Sequence, residues 1–134
     1  MNQLTYHRIK LNELRKGNLA ILEALNGNHK EVNIPLIERY VSGAAKMSTS
    51  KIYRRTRKRE VVQVRQLVHY FALRYTRKTT SEVGWMCGRY NHATVLHSKK
   101  NIENLIETDK YMRELHNKID HRLSAHVPKN DKIR

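Results

Sequence analysis

Apolar residues recur along the chain at intervals of three and four, the period of a helix with one buried face. Leu11, Leu14, Leu22 and Leu25 predict a helix within residues 4–25 that stops at Gly27. "NIPLIERYVSGAAK" predicts a second, with Pro35 in its first turn, Ile34, Ile37 and Val41 on one side, and a weak end at Ser42 and Gly43. "MSTSKIYRR" offers hydroxyl caps for one short helical turn. The longest stripe is Val61, Val64, Val68, Phe71 and Tyr75, with Arg57, Arg59, Gln63, Gln66 and Arg74 off it. After "TRKTT" breaks that pattern, Thr79 and Glu82 form a capping box for a short helix through Val83, Trp85 and Met86, and Gly88 suits its C-terminal cap. Asn91 then caps a helix whose buried stripe is Val95, Ile102 and Ile106. Thr108 and Asp109 start the last one, on Met112, Leu115, Ile119 and Leu123. No repeat, low-complexity tract or strand pattern stands out.

These segments predict a compact all-α protein in three parts: a helical extension over residues 1–30, a helical domain over 31–126, and a polar tail over 127–134. A chain of 134 residues has room for one domain with such an extension, and two prolines and five glycines are too few for the turns of an all-β fold. Hydrophobic residues make up 39%, enough when each helix buries only a stripe.

Charge adds a function class. Lys and Arg total 27 against 12 acidic residues, a formal net charge of +15. Ten of the basic residues, against the single acid Glu60, fall between Lys51 and Lys78. Such a concentrated excess points to a polyanion, either nucleic acid or an anionic membrane surface. No run of about 18 apolar residues exists to span a membrane, and "MNQLTYHRIKLNEL" lacks the apolar core of a signal peptide. One cysteine, Cys87, excludes an internal disulfide and any multi-cysteine zinc site. The expected location is therefore the cytoplasm.

A short capped helix, a turn holding a glycine and a second helix, over residues 79–100, form a helix-turn-helix pattern. In that motif the start of the second helix meets base edges in the major groove. Here those residues are Asn91, His92 and Ala93. An amide can pair with adenine, an imidazole can donate or accept, and an alanine methyl can touch a thymine methyl. Thr94, Lys99 and Lys100 are candidates for phosphate, and the basic segment before the motif would supply most of the affinity.

At these residues the chain resembles a family. "RTRKREVVQVRQL" (55–67) followed by "SEVGWMCGRYNHATVLHSKKNI" (81–102) is similar to the C-terminal DNA-binding domain, domain IV, of the bacterial replication initiator DnaA. The shared elements are the Arg-x-Arg-x-Arg-Glu run, an Arg-Gln pair beyond it, a Glu-x-Gly helix and a His-x-Thr-Val-Leu-His helix, all without gaps. "IERYVSGAAKMSTSKIYRRTRKRE" extends the resemblance, which covers residues 34–120. It implies a Trp-repressor-like helical domain that binds short asymmetric sites in double-stranded DNA. By position it implies Arg57 in the minor groove, whose narrow A·T-rich form attracts arginine. Asn91, His92 and Ala93 would read bases. Arg59, Arg65 and Gln66, the start of the first motif helix at Thr80 and Ser81, and Thr94 and Lys100 would lie at the phosphate backbone, joined by the nearby cations Arg55, Lys58, Arg89 and Lys99. Asn91 stands where the family commonly has Asp, Ala93 where it often has Thr, and Tyr90 where an Arg is frequent, so an altered or relaxed site is expected. No G-x-x-x-x-G-K-[ST] phosphate loop occurs, so the expectation is a reader without the initiator's ATPase domain, occupying or competing for initiator-type sites or regulating transcription nearby.

Other chemistry finds little support. His92 and His97 lie on different faces of one helix, and no H-E-x-x-H pattern occurs, so no metal is expected and no other cofactor is called for. Glu60 and Glu82 are too few for a nuclease, and no catalysis is expected. Trp85, Met86 and Cys87 are expected in the core and His97 beneath the recognition helix. Two roles stay open for the leucines of residues 1–30. They cover the domain's own core, or they form a homodimer contact or a dock for a replication protein. In the second case the chain is an interaction module with largely nonspecific DNA binding.

Overall fold

The computed structural model describes residues 32–127, and six helices account for most of them. They are α1 (Ile34–Ala45), α2 (Thr49–Ile52), α3 (Arg59–Tyr75), α4 (Thr80–Met86), α5 (His92–Thr108) and α6 (Lys110–Ser124). There is no strand among the described residues. The expected helix before Gly27, with its two possible roles, and the tail beyond residue 127 lie outside the described residues.

The helix starts follow the caps in the sequence. Asn33 accepts from the Leu36 amide at 2.9 Å, with Pro35 in the first turn of α1. Ser48 caps α2 and Asp109 caps α6 in the same way. The C-terminal end of α1 lies beyond the expected weak point: the helix runs through Gly43 to Ala45 and stops at Lys46, whose φ of 55° is left-handed. Ser42 explains the extension, because its hydroxyl donates to the Met47 carbonyl at 2.6 Å and its own carbonyl accepts from the Met47 amide.

The core is arranged around α3. Its expected stripe is buried at Val61, Val64, Val68 and Phe71, and half-buried at Tyr75. Yet α3 is not an amphipathic surface helix with one buried stripe. Every residue from Val64 to Ala72 is buried, including Arg65, Gln66 and His69, because α1, α2, α4, α5 and α6 all pack on it. A helix surrounded by others must satisfy its polar groups internally. Ile37 and Val41 of α1, Val95 and Ile102 of α5, and Met112, Ile119 and Leu123 of α6 complete the core. At the far end, Tyr75 donates to Asp120 at 2.5 Å, and the Tyr40 hydroxyl lies 2.7 Å from His126 Nε2, which fastens the segment after α6 to α1.

Candidate nucleic-acid interface

Helices α4 and α5 and the turn between them form the helix-turn-helix. The capping box is complete: Thr79 Oγ1 accepts from the Glu82 amide at 3.2 Å, and Glu82 Oε1 accepts from the Thr79 amide at 3.0 Å. The Thr79 amide, and then its hydroxyl, hold the Glu82 carboxyl below its ordinary pKa. The chain leaves α4 through Gly88, at φ +100°, and Arg89, at φ +59°, and turns back sharply enough for the Tyr90 amide to donate to the Gly84 carbonyl at 2.8 Å. Gly84 permits that approach, since a β-carbon there would lie 2.0 Å from the Tyr90 carbonyl oxygen.

Asn91 then caps α5. Its Oδ1 accepts from the Thr94 amide at 2.8 Å and from the Thr94 hydroxyl at 3.0 Å. The side-chain oxygen is thereby engaged, and the exposed amide end presents N–H donors. His92 and Ala93 are exposed beside it, with Lys99 and Lys100 exposed farther along α5 and Thr94 half-exposed. Thr80 and Ser81 open α4, half-exposed and exposed respectively.

Residues 53–58, between α2 and α3, carry Arg55, Arg57 and Lys58, all exposed, and Arg59 opens α3 beyond them. This loop is tied down at several points. Tyr53 donates to Glu38 at 2.5 Å. Arg55 Nη2 donates to the Gly88 carbonyl at 2.7 Å and the Arg89 carbonyl at 3.3 Å. Arg65 reaches back from α3 to donate to the carbonyls of Ile52, Arg54 and Thr56 at 3.2, 3.0 and 3.4 Å. Both guanidinium groups also lie over the Tyr90 ring, with Cζ 4.2 Å (Arg55) and 5.0 Å (Arg65) from its centroid.

The structure therefore brings together Arg55, Arg57, Lys58, Arg59, Arg89, Asn91, His92 and Ala93 as exposed residues on the loop, the turn and the helix start. It sets Arg65 and Gln66 apart. Each is only 7% exposed. Arg65 is a strut under the loop, and Gln66 Oε1 accepts from Asn101 Nδ2 at 2.6 Å, which holds α3 to α5. Two other expectations are corrected. Trp85 and Met86 are not core; Trp85 is 66% exposed, with the Arg89 guanidinium 5.0 Å from its ring centroid. The short α4 buries Val83, Gly84 and the following Cys87, so positions 85 and 86 fall on its outer side. His97 is exposed as well, because the inward positions of α5 are Val95, Ser98 and Ile102.

Two histidines are buried among the described residues, His116 of α6 and His69 of α3; His69 is the one beneath the helix-turn-helix, and periodicity alone did not single it out. Its Nε2 lies 2.9 Å from the Cys87 carbonyl and its Nδ1 2.9 Å from the Ser98 hydroxyl. A carbonyl only accepts, so Nε2 carries the proton; burial favours the neutral ring, in which Nδ1 accepts from a Ser98 hydroxyl that also lies 3.0 Å from the Thr94 carbonyl. Burial lowers its pKa, opposed by the bond to the Cys87 carbonyl and reinforced by the charge of Arg65. Unfolded histidine titrates near pH 6.5, so below about that pH the unfolded chain takes up a proton that folded His69 resists. Stability contributed by the neutral ring is thus complete above about pH 6.5 and lost as the pH falls below it. Urea midpoints should decline as the pH falls below about 6.5, and His69→Gln should flatten that decline while lowering stability at the upper pH.

Burial pushes the Cys87 thiol up to about 12, which leaves it a core residue without thiolate reactivity. Among the described residues no group of three His, Cys, Asp or Glu is placed to hold a metal ion, and no helix is long and apolar enough to cross a membrane.

Known proteins resemble this chain in sequence. A family model described as the bacterial DnaA protein helix-turn-helix matches residues 34–102, just over half the chain. Among curated proteins, the chromosomal replication initiator protein DnaA of Flavobacterium psychrophilum is 40% identical over 95 residues, 71% of this chain and 20% of that protein. The DnaA of Bacteroides thetaiotaomicron is 42% identical over 81 residues, 60% of this chain and 17% of its own length. That of the Wolbachia of Brugia malayi is 32% identical over 90 residues, 67% of this chain and 20% of its own. The chain thus spans about a fifth of the length of the curated relatives it matches. An all-helical domain, a capped helix-turn-helix joined to an arginine-bearing loop, and a matching family model lead to one conclusion: the chain belongs to the bacterial DnaA helix-turn-helix family, a family of DNA-binding domains.

Proposed function

We propose that this chain binds short DnaA-box-like sites in double-stranded DNA sequence-specifically, and so regulates or competes with replication initiation or transcription near those sites. The observation that carries the reading is the exposed run of Asn91, His92 and Ala93 at the first turn of α5, next to a loop that exposes Arg57, Lys58 and Arg59. The helix start enters the major groove and Arg57 the adjacent minor groove. Lys58, Arg59, Arg89, Lys99 and Lys100 face phosphates, with Thr80, Ser81 and Thr94 alongside. Arg65 and Gln66 act from beneath, by holding the loop and α5 in place. The relatives named as chromosomal replication initiators support the setting at an origin.

Asn91 sets a specific expectation. With its oxygen engaged by Thr94, it offers a donor to the groove and selects a base edge with an acceptor, such as guanine O6 or N7. Selection from random duplexes, followed by anisotropy on the enriched sites, tests this. A short site should emerge with an acceptor edge opposite Asn91. Asn91→Asp should shift that position toward cytosine, whose N4 donates, by roughly 1–3 kcal/mol. His92→Ala should lose a similar amount of discrimination at a neighbouring pair. Binding with no enriched sequence would refute the reading.

A further inference from the structure

Tyr90 is the last residue of the turn before the Asn91 cap, yet its ring points back toward the 53–58 loop and α3. The guanidinium of Arg55 sits over it at 4.2 Å and that of Arg65 at 5.0 Å, and the His69 ring meets it nearly edge-on at 5.5 Å. Arg55 simultaneously grips the Gly88 and Arg89 carbonyls, and Arg65 grips three carbonyls at the base of the loop. The Tyr90 amide is fixed to Gly84. One side chain therefore touches both segments that carry the base-reading groups: the loop with Arg57 and the turn that launches α5.

We propose that Tyr90, held by Arg55 and Arg65, is a positioning residue that locks the Arg57 loop to the recognition helix, so that minor- and major-groove readout are made as one rigid unit. The proposal rests on the DNA-binding reading above. Three features of the contact support it. The ring offers a π face to two cations, the exposed Arg55 and the buried Arg65, and the ring quadrupole attracts a cation held over that face. Its hydroxyl is buried and has no hydrogen-bond partner, so the ring face, not the polar tip, makes the connection. Gly88 lies against the same group, where an added β-carbon would meet the rings of Tyr90 at 2.6 Å and Tyr53 at 2.9 Å, so the turn backbone packs directly on a ring from each segment. An aliphatic residue of similar size would fill the volume but offer no face to the guanidinium groups.

The test compares two ratios for each variant on duplexes derived from the selected site. The first is the affinity ratio between that site and a copy with G·C in place of A·T at the Arg57 end. The second is the ratio for a swap of the pair read by His92. With a first ratio of about tenfold in the unmodified protein, Tyr90→Leu and Arg55→Gln should each reduce it to about twofold and leave the second ratio in place. Tyr90→Phe should keep both. In an Arg57→Ala background, Tyr90→Leu should lower the first ratio no further, because the two changes remove the same interaction. Without DNA, amide exchange at Thr56 and Lys58 should quicken about tenfold in Tyr90→Leu and Arg55→Gln but not in Tyr90→Phe. A parallel fall in both ratios, or an unchanged first ratio in both variants, would overturn the proposal. Should Tyr90→Leu fail to fold, the exposed Arg55→Gln carries the test alone. A first ratio near one in the unmodified protein, or one indifferent to Arg57→Ala, would instead defeat the minor-groove reading itself, and the proposal with it.

Discussion

Gly84→Ala should prevent stable folding of the helix-turn-helix, with a loss of more than about 3 kcal/mol against a total stability of about 5–15 kcal/mol for a domain of this kind. The new β-carbon would lie 2.0 Å from the Tyr90 carbonyl oxygen, 3.0 Å from the Tyr90 carbonyl carbon and 3.2 Å from a Val95 methyl. Two of the three obstacles are backbone, which cannot rotate away. Relief requires the turn to open, and opening it breaks the Tyr90 amide bond to Gly84 and displaces Tyr90 from Arg55 and Arg65. Gly43→Ala is the matched control. Nothing lies within 4 Å of a β-carbon there, and the position is an exposed helix interior, so that change should stabilise by about 0.5–1 kcal/mol. Urea unfolding followed by helical circular dichroism reads both. A Gly84→Ala midpoint within experimental error of the parent would mean that the turn relaxes freely, and the rigidity ascribed to it would be wrong.

Affinity for the selected duplex should fall about a thousandfold between 50 and 200 mM salt, with a log–log slope near −5. Arg57, Lys58, Arg59, Arg89, Lys99 and Lys100 are exposed on the loop, the turn and the recognition helix. The five that face phosphates, with Arg57 between the strands in the minor groove, neutralise about six phosphate charges, and about 0.9 released counterions for each gives that slope. Arg65 does not contribute, because its donors are turned inward to carbonyls. Lys99→Gln and Lys100→Gln should each make the slope shallower by about 0.9 while leaving base preference intact, since a phosphate contact carries little sequence information. A slope shallower than about −2 would show that most of these cations stand away from the backbone.

Much of this architecture was legible in the sequence because its signals were local. Ser48, Thr79, Asn91 and Asp109 each cap the helix their position announces, and the stripes on α1 and α6 are buried as their spacing implies. What could not be read depended on neighbours distant in sequence. A stripe on α3 says which side is apolar, but not that five other helices enclose it, so the burial of Arg65, Gln66 and His69 was invisible. His97 and His69 are equally good residues on paper; only the pairing of α3 with α5 makes His69 the one that bridges Ser98 and Cys87. Trp85 was misplaced because large aromatic residues are usually core, whereas a helix as short as α4 has too few inward positions to bury it. The departure at Tyr90 was visible as the loss of a turn cation, and its ring became meaningful only with Arg55 and Arg65 against it.

The close approach of Tyr90 to Gly84 also constrains how such a domain diversifies. A turn held from below by a backbone contact and from the side by Arg55 has no slack for an inserted or deleted residue, so changes of length between α4 and α5 are closed to it. With bases read as proposed, new target preferences then arise by exchanging side chains at Asn91, His92 and Ala93 on an unchanging frame. Lineages that diverge in the sites they occupy should differ at those three positions and agree in spacing from Gly84 to Val95.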